Sequence, residues 1–474
     1  MSDLQHDNAE APGESPAETQ GDSVHGISPE TEEQIVSALE TNDETAVWAL
    51  ISDVHYADLA DLLERLGDDA RARLMLILGP ESQAEILSEL DETIRDQVID
   101  DLGIDQLAPF LAELESDDAL LIIEELEAHE QQQVLDAMPD EDRAMIEESL
   151  SYPEDSAGRL MQRELVTVPT FWTVGDTIDY MRQNADSDDN PLPDQFYVIY
   201  VVDPAHRPVG MVWLDKVLRT RRPVPMTEVM EPDMKVIPVN TDQEDVAFLF
   251  RQRDLVSAPV VDDGGRLIGA ITIDDIVDVI DEEHEEDIMR MGGVREDDLY
   301  SAVLDTTRAR FSWLFVNLLT AIVASIVIGL FDATLDQVVA LAILMPIVAS
   351  MGGNAGTQTL TVAVRALAMK ELTATNAPRL IGKELLVGAA NGIMFAVLAG
   401  GVAWGWFDNP LLGVVIAVAM VVNMLVAGLA GTLIPIVLDR NNIDPAIASS
   451  VFLTTITDVV GFFVFLGLAA MVLL

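Results

Sequence analysis

From Phe311 to Leu474 the chain is one apolar tract broken into five runs, residues 311–330, 338–367, 380–406, 411–438 and 447–474. Each run reaches or exceeds the ~20 helical residues that cover a ~30 Å hydrocarbon core. Backbone polar groups find no water at that depth and must be satisfied within the segment, so the runs predict an all-α bundle of five transmembrane helices. Only five basic residues lie in this tract, Arg365, Lys370, Arg379, Lys383 and Arg440. With Arg308 and Arg310 they fall before the first run and around the second and fourth connections, whereas residues 331–337 and 407–410 hold none. Basic connections stay on the cytoplasmic side. The large amino-terminal part is therefore expected in the cytoplasm of a multi-pass cell-membrane protein, and the carboxyl end outside.

Asp458 stands deep inside the last run. At ~1.5 Å per residue it lies roughly 17 Å in, near the middle of the hydrocarbon core. A charge there costs from ~3 to more than ~10 kcal/mol unless it faces water, protein or a counter-ion, so it marks a route for a cation. Thr454, Thr455 and Thr457 precede it. The second run holds Pro346 with Gly352, Gly353 and Gly356, a composition that weakens a helix. The expectation is a broken backbone whose carbonyls, with Asn354, Thr357 and Gln358, accept hydrogen bonds from the water around an ion. Close helix packing through small residues is the alternative. An oxygen-only lining with a carboxylate suits a hard cation such as Mg²⁺ or Ca²⁺.

The net charge after residue 310 is −3, which leaves −53 of the total −56 in the first 310 residues. Such a surface repels nucleic acid and anionic lipid. Only four of the 26 basic residues are lysine, a habit like that of proteins from salt-accumulating halophiles, so most of the acid reads as solvated surface and individual carboxylates are argued by position. The chain has no cysteine, which excludes disulfides, thiolate zinc sites and cysteine nucleophiles. The histidines, among them His55, His129 and His284, are scattered, and no nucleophile with a base or phosphate loop is evident. An enzyme is not expected.

Residues 1–29 read as a disordered acidic tail without a basic n-region or apolar stretch. Over residues 30–152 the apolar positions recur every twelve residues. Leu66, Leu78, Leu90, Leu102, Leu114, Leu126, Met138 and Leu150 form one column. Leu62, Leu74, Ile86, Val98, Phe110, Ile122, Val134 and Ile146 form the other. Twelve steps of ~100° overshoot whole turns by ~120°, so one long helix would smear the apolar face around its axis. Short helices of about eight residues with tight turns keep it in place, which predicts a superhelical α-solenoid.

From about residue 153 strands alternate with short helices, and one layout appears twice, over residues 153–222 and 223–281. This resembles a tandem α/β pair of CBS domains. In the second copy Gly269, Thr272 and Asp275 match the element that in such domains holds the ribose and phosphate of ATP or another adenine nucleotide. The first copy has Trp213 in place of that threonine. Residues 282–310 then form an acidic connecting segment with carboxylates on nearly every helical face, costly at low ionic strength unless cations sit among them; a solvated linker is the alternative.

The run Tyr152-Pro153-Glu154-Asp155-Ser156-Ala157-Gly158-Arg159-Leu160-Met161, the CBS pair, Met351-Gly352-Gly353-Asn354 and Thr454-Thr455-Ile456-Thr457-Asp458 together resemble the MgtE family of magnesium transporters. The resemblance implies a homodimer with a Mg²⁺ pore on its two-fold axis, where Asp458 of both chains meets the ion. Gly352, Gly353, Asn354, Thr454 and Thr455 would line the path. It also implies closure by cytosolic Mg²⁺ bridging the N domain, the CBS pair and a connecting plug helix. The family's regulatory acids fall on Asp242, Asp254, Asp275, Asp278, Glu283, Glu286 and Asp287, with Asp444 at the cytoplasmic mouth. Alternatives are transport of Mn²⁺, Co²⁺ or Ca²⁺, and a non-conducting, membrane-anchored nucleotide sensor.

Overall fold

The computed structural model describes residues 26–111, 114–185, 192–193, 195–294, 303–373, 375–441 and 443–474. Most of the expected tail and residues 295–302 of the connecting segment lie outside the described residues. The chain divides into two compact units: Met1–Glu154 with Gln162–Glu164, and Asp155–Met161 with Leu165–Leu474.

In the first unit the described residues form ten helices: α1 (Pro29–Glu40), α2 (Glu44–Ile51), α3 (Tyr56–Arg65), α4 (Asp68–Ile77), α5 (Pro80–Glu89), α6 (Glu92–Leu102), α7 (Ile104–Leu111), α8 (Ser116–Glu125), α9 (Ala128–Ala137) and α10 (Asp140–Leu150). The twelve-residue period has a local cause. Leu66, Leu78, Leu90, Leu126 and Met138 each follow a ten-residue helix as an extended C-cap with ψ between 145° and 156°. Leaving the helical region ends the helix and turns the side chain back into the core, where these five are 2–8% exposed. The next helix starts at the following Gly, Asp, Glu or Pro. The other column is the interior seam: Leu62, Leu74, Ile86, Ile122 and Val134 are all 0% exposed.

A third column at the same spacing is polar. Arg71 donates to the carbonyls of Leu63 and Leu66, Gln83 to those of Met75 and Leu78, and Gln131 to that of Ile123. These side chains satisfy the orphan carbonyls at the end of each preceding helix. Leu62→Ala should destabilise this unit by about 2–5 kcal/mol, as a filled core position emptied to a methyl does; the thermal midpoint of the purified protein reads it.

The second unit opens with α11 (Ala157–Leu160) and then repeats one motif. The first copy is β1 (Thr167–Pro169), α12 (Val174–Asn184), β2 (Val198–Val202), β3 (Pro208–Trp213) and α13 (Leu214–Arg219). After α14 (Met226–Val229) the second is β4 (Ile237–Pro238), α15 (Gln243–Arg253), β5 (Ser257–Val261), β6 (Leu267–Thr272) and α16 (Ile273–Gly292). Each sheet pairs its first strand parallel to its second and its second antiparallel to its third. The copies are pinned together where the buried Tyr200 hydroxyl meets Ser257 Oγ at 2.7 Å. The acidic stretch is not a separate helix. α16 runs through residue 281 to Gly292, because nothing between Ile273 and Gly293, the latter at φ 71°, breaks it.

The remainder is α17 (Val303–Gly329), the short α18 (Asp332–Gln337), α19 (Ala340–Ala368), α20 (Ala377–Phe407), α21 (Pro410–Asp439) and α22 (Pro445–Val472). All but α18 are long and apolar enough to cross a membrane. The expected break in the second span is absent. α19 is one helix of 29 residues with Pro346 inside it. Its glycines are contact points instead. A Cβ on Gly352 would lie 2.1 Å from Asn423 Nδ2, and one on Gly356 2.8 Å from Leu453 Cδ1. Likewise a Cβ on Gly431 would lie 2.7 Å from the Gly356 carbonyl, and one on Gly400 or Gly413 would lie 2.8 or 2.7 Å from the other's carbonyl oxygen. Small residues let these backbones approach closely, which in lipid is a main source of helix association. Gly431→Val must push α19 from α21 and should cost at least about 1–3 kcal/mol, seen as a lower melting midpoint in detergent.

Candidate ion pathway and acidic cluster

Asp458 is the fourteenth of 28 residues in α22, at the middle of the span, and is half-buried. Its carboxylate has no hydrogen-bond or ion-pair partner among the described residues. The hydroxyls before it are turned to their own helix: Thr454 Oγ1 donates to the Ser450 carbonyl at 3.0 Å and Thr455 Oγ1 to that of Val451 at 2.6 Å. Each hydroxyl proton is thus occupied while the oxygen keeps lone pairs free to accept. Thr457 makes the same bond to Leu453 but is 0% exposed and faces the protein interior.

On α19, Ser350, Asn354, Thr357 and Thr361 are all exposed and follow one another at spacings of four, three and four, which is one polar helix face. Thr357 and Thr361 donate to the carbonyls of Gly353 and Thr357, both at 3.0 Å. These hydroxyl protons are thus met within the helix, but the Asn354 amide makes only a 3.4 Å contact to Ser350 Oγ, and an amide so poorly met is costly in lipid, which favours water or a second polar surface on this face. Gly356 packs on Leu453, and Gly352 shares a neighbour, Asn423, with Gly461. α19 and α22 therefore run antiparallel, with Asn354 level with about residue 457. Asn354 and Asp458 share one depth. Gly352 does not belong to the lining: it faces Asn423 inside the bundle, while Gly353 is half-exposed.

The second group of acids lies on α15 and α16. Glu283, Glu286, Asp287 and Arg290 form a half-buried stripe, whereas Asp281, Glu282, His284, Glu285 and Ile288 are exposed. Gln243 Nε2 donates to Glu283 Oε1 at 3.1 Å. Burial pushes the Glu283 carboxyl up; the Gln243 hydrogen bond opposes this, and the charges of Asp242, Asp155 and Asp287 add to the rise. Burial and then Asp444 do the same to Asp287. Glu244 is raised by burial despite Lys370, which reaches over from the α19–α20 connection, pairs with Asp245 and lies 5.1 Å from the centre of the Phe248 ring. Arg290 pairs with Glu286 and donates to Asp444 Oδ2 at 2.8 Å. The other oxygen of Asp444 caps α22 by accepting from the Ala446 amide at 2.7 Å. One arginine thus links the acidic stripe to the start of the helix that carries Asp458.

Residues 345–468 match the MgtE family, described as divalent cation transporters, residues 54–155 the MgtE intracellular N domain, and residues 226–282 the CBS domain. The magnesium transporter MgtE of Thermus thermophilus is 36% identical over 325 residues, 68% of this chain and 71% of the relative. That of Enterococcus faecalis is 33% identical over 325 residues, 69% and 71%. The chain belongs to the MgtE family. Among solved structures, the cytosolic domain of the Mg²⁺ channel MgtE in complex with ATP is 31% identical and covers 52% of this chain and 99% of its own, at a TM-score of 0.48.

Of the acids that the MgtE pattern singles out, Asp242, Glu283, Glu286, Asp287 and Asp444 come together around α16 and the start of α22. Asp254 does not. It is the exposed C-cap of α15, at φ 52°, and lies ~18 Å along the helix from Asp242 at ~1.5 Å per residue. Asp278 belongs to a separate carboxylate group with Asp274 and Asp281; burial, then those two charges, raises its carboxyl. Asp275 is engaged locally, accepting from Thr272 Oγ1 at 2.9 Å in the capping box of α16, while Gly269 is buried in β6 opposite Val260. The Glu127–His129–Glu130 group has ligand atoms close enough for a metal, but Glu127 and Glu130 form the capping box of α9, and Glu127 and His129 are exposed. The sequence reading missed Lys370 and Arg290 as partners of the acids. Arg290 four residues after Glu286 was a legible signal; Lys370 lies 125 positions after Asp245 and carried none.

Proposed function

We propose that the protein conducts Mg²⁺ into the cell as a homodimer, through a pore where Asp458 of each chain meets the ion. A carboxylate at mid-membrane without a protein partner, level with Asn354 on an uncovered polar face, carries this reading. Mg²⁺ gives up its waters reluctantly, so a lining of amide and hydroxyl oxygens that accept from those waters suits it better than a dehydrating cage. The bias of Lys and Arg toward the second and fourth connections supports a topology with the soluble part and the α16 stripe in the cytoplasm and the carboxyl end outside.

Cytosolic Mg²⁺ closes the path. Crowded carboxylates on α15, α16 and the start of α22 repel one another until a divalent cation sits among them, and hard oxygen donors of this kind fit Mg²⁺. The protein's own Lys370 and Arg290 supply part of that positive charge. In the second β-rich copy, Gly269 and Thr272 would admit the ribose and phosphate of an adenine nucleotide, whereas Trp213 fills the equivalent place in the first.

Uptake of Mg²⁺ into liposomes carrying the purified protein and an internal fluorescent indicator tests the reading. Saturable uptake that Mn²⁺, Co²⁺ and Ca²⁺ compete for only weakly supports it. Equal transport of those ions would make the protein a general divalent-cation transporter, and no uptake of any would leave a sensor without a pore.

A further inference from the structure

Asn423, in the middle of α21, is 0% exposed. Its Nδ2 donates to the Val348 carbonyl of α19 at 2.9 Å. Its Oδ1 is buried with no hydrogen-bond partner among the described residues. The carboxamide occupies space that two glycines on different helices leave open. A Cβ on Gly352 of α19 would lie 2.1 Å from Nδ2, and one on Gly461 of α22 2.9 Å from the same atom. Gly352 stands two residues before Asn354, and Gly461 three after Asp458.

Stability does not account for an amide here. An unmet buried carbonyl is a net penalty, and a single hydrogen bond between membrane helices returns little. An apolar side chain such as leucine, which shares the branched outline of asparagine though it is larger, would leave no polar atom to satisfy. What an amide adds is direction: its N–H reaches one carbonyl and therefore accepts one rotation of α19, much as a lone buried asparagine fixes register in a coiled coil.

We propose that Asn423 is a positioning residue for the ion pathway. Wedged between Gly352 and Gly461, it sets the rotation of α19 against α22 and so the separation of the Asn354 and Asp458 side chains that a hydrated divalent ion meets. The inference rests on the reading of Asp458 as the pore acid. Ca²⁺ holds its first-shell oxygens at about 2.3–2.6 Å in a flexible shell, whereas Mg²⁺ holds six at about 2.0–2.1 Å in a near-octahedral one, so the quantity most sensitive to this separation is discrimination between the two rather than flux alone.

The test uses the full chain in liposomes at matched amounts of incorporated protein, as wild type, Asn423→Leu, Asn423→Ala, Gly461→Ala and Asp458→Ala. The readout is the Ca²⁺ concentration that halves Mg²⁺ uptake, divided by the Mg²⁺ concentration that half-saturates it. In Asn423→Leu and Gly461→Ala this ratio should move by about fivefold or more, the size of coupling usual between residues in contact, while Asp458→Ala takes up no Mg²⁺. Asn423→Ala serves where the leucine variant does not fold. Should the ratio stay within twofold of wild type in the Asn423 and Gly461 variants, whatever happens to flux or melting temperature, the residue is merely structural. Wild-type uptake by Asp458→Ala would instead overturn the pathway reading and this inference with it.

Discussion

Asp458→Ala should lower Mg²⁺ uptake by the reconstituted protein to the leak of protein-free liposomes, with its melting behaviour intact. The size follows from charge and distance. An ion that keeps its first shell holds water oxygens at about 2.1 Å, and those waters reach a carboxylate oxygen about 2.7 Å further on. At a separation of about 4–5 Å in a water-filled path, a divalent ion gains about 2 kcal/mol from each carboxylate. The proposed homodimer, with both acids removed, would lose about 4 kcal/mol, or about a thousandfold in occupancy below saturation. A monovalent ion gains half as much per carboxylate, so the paired acids also favour divalent over monovalent cations.

Two further variants separate charge from shape. Asp458→Asn keeps the outline and an acceptor oxygen, and should fall nearly as far as alanine. Asp458→Glu keeps the charge on a longer arm, and should retain part of the flux with weaker discrimination. Selective uptake at the wild-type rate by the alanine variant would sink the pore assignment. The structure explains why the protein itself is expected to survive the change: no described residue depends on the Asp458 carboxylate for a hydrogen bond.

Much of this arrangement is legible in the sequence, and what is not has definite causes. The two columns of the solenoid were readable because each twelve-residue unit repeats the same local decision, a ten-residue helix ended by an extended leucine such as Leu66 or Leu78. The polar column of Arg71, Gln83 and Gln131 shares that spacing but alternates chemistry, so pattern alone hides it. The five spans follow from length and apolarity. The glycines of α19 misled, since composition cannot distinguish a residue that frees a backbone from one that admits a neighbour. Gly352 is the second kind, and its reason, Asn423, lies 71 positions away. The acids of α16 were visible as a run; that Glu283, Glu286 and Asp287 are the half-buried ones, with Glu282 and Glu285 outside, depends on what α15 and α22 pack against.

Neutralising that stripe, as Glu283→Gln, Glu286→Gln and Asp287→Asn together, should leave the path active at internal Mg²⁺ concentrations that close the wild type. Burial and neighbouring carboxylates raise Glu283 and Asp287, so in this arrangement their ionised forms are held at a cost. Cytosolic Mg²⁺ removes that cost only by binding among ionised groups, and a ligand shifts a two-state equilibrium by no more than its difference in affinity for the two states. Amides remove the charge that attracts the ion along with the repulsion, and Mg²⁺ then has less difference in affinity with which to drive closure. The concentration for half-closure should rise more than about tenfold, in line with the loss of ligands and their supports at metal sites generally. Arg290, freed of Glu286, would still hold Asp444, so adding Arg290→Gln tests whether that arginine stands in for an ion: the fourfold variant should be more open than the threefold at every Mg²⁺ level. Uptake measured against a series of internal Mg²⁺ concentrations gives both answers. Normal closure of the threefold variant would reduce the stripe to a solvated linker, and permanent closure would show that repulsion alone holds the path open.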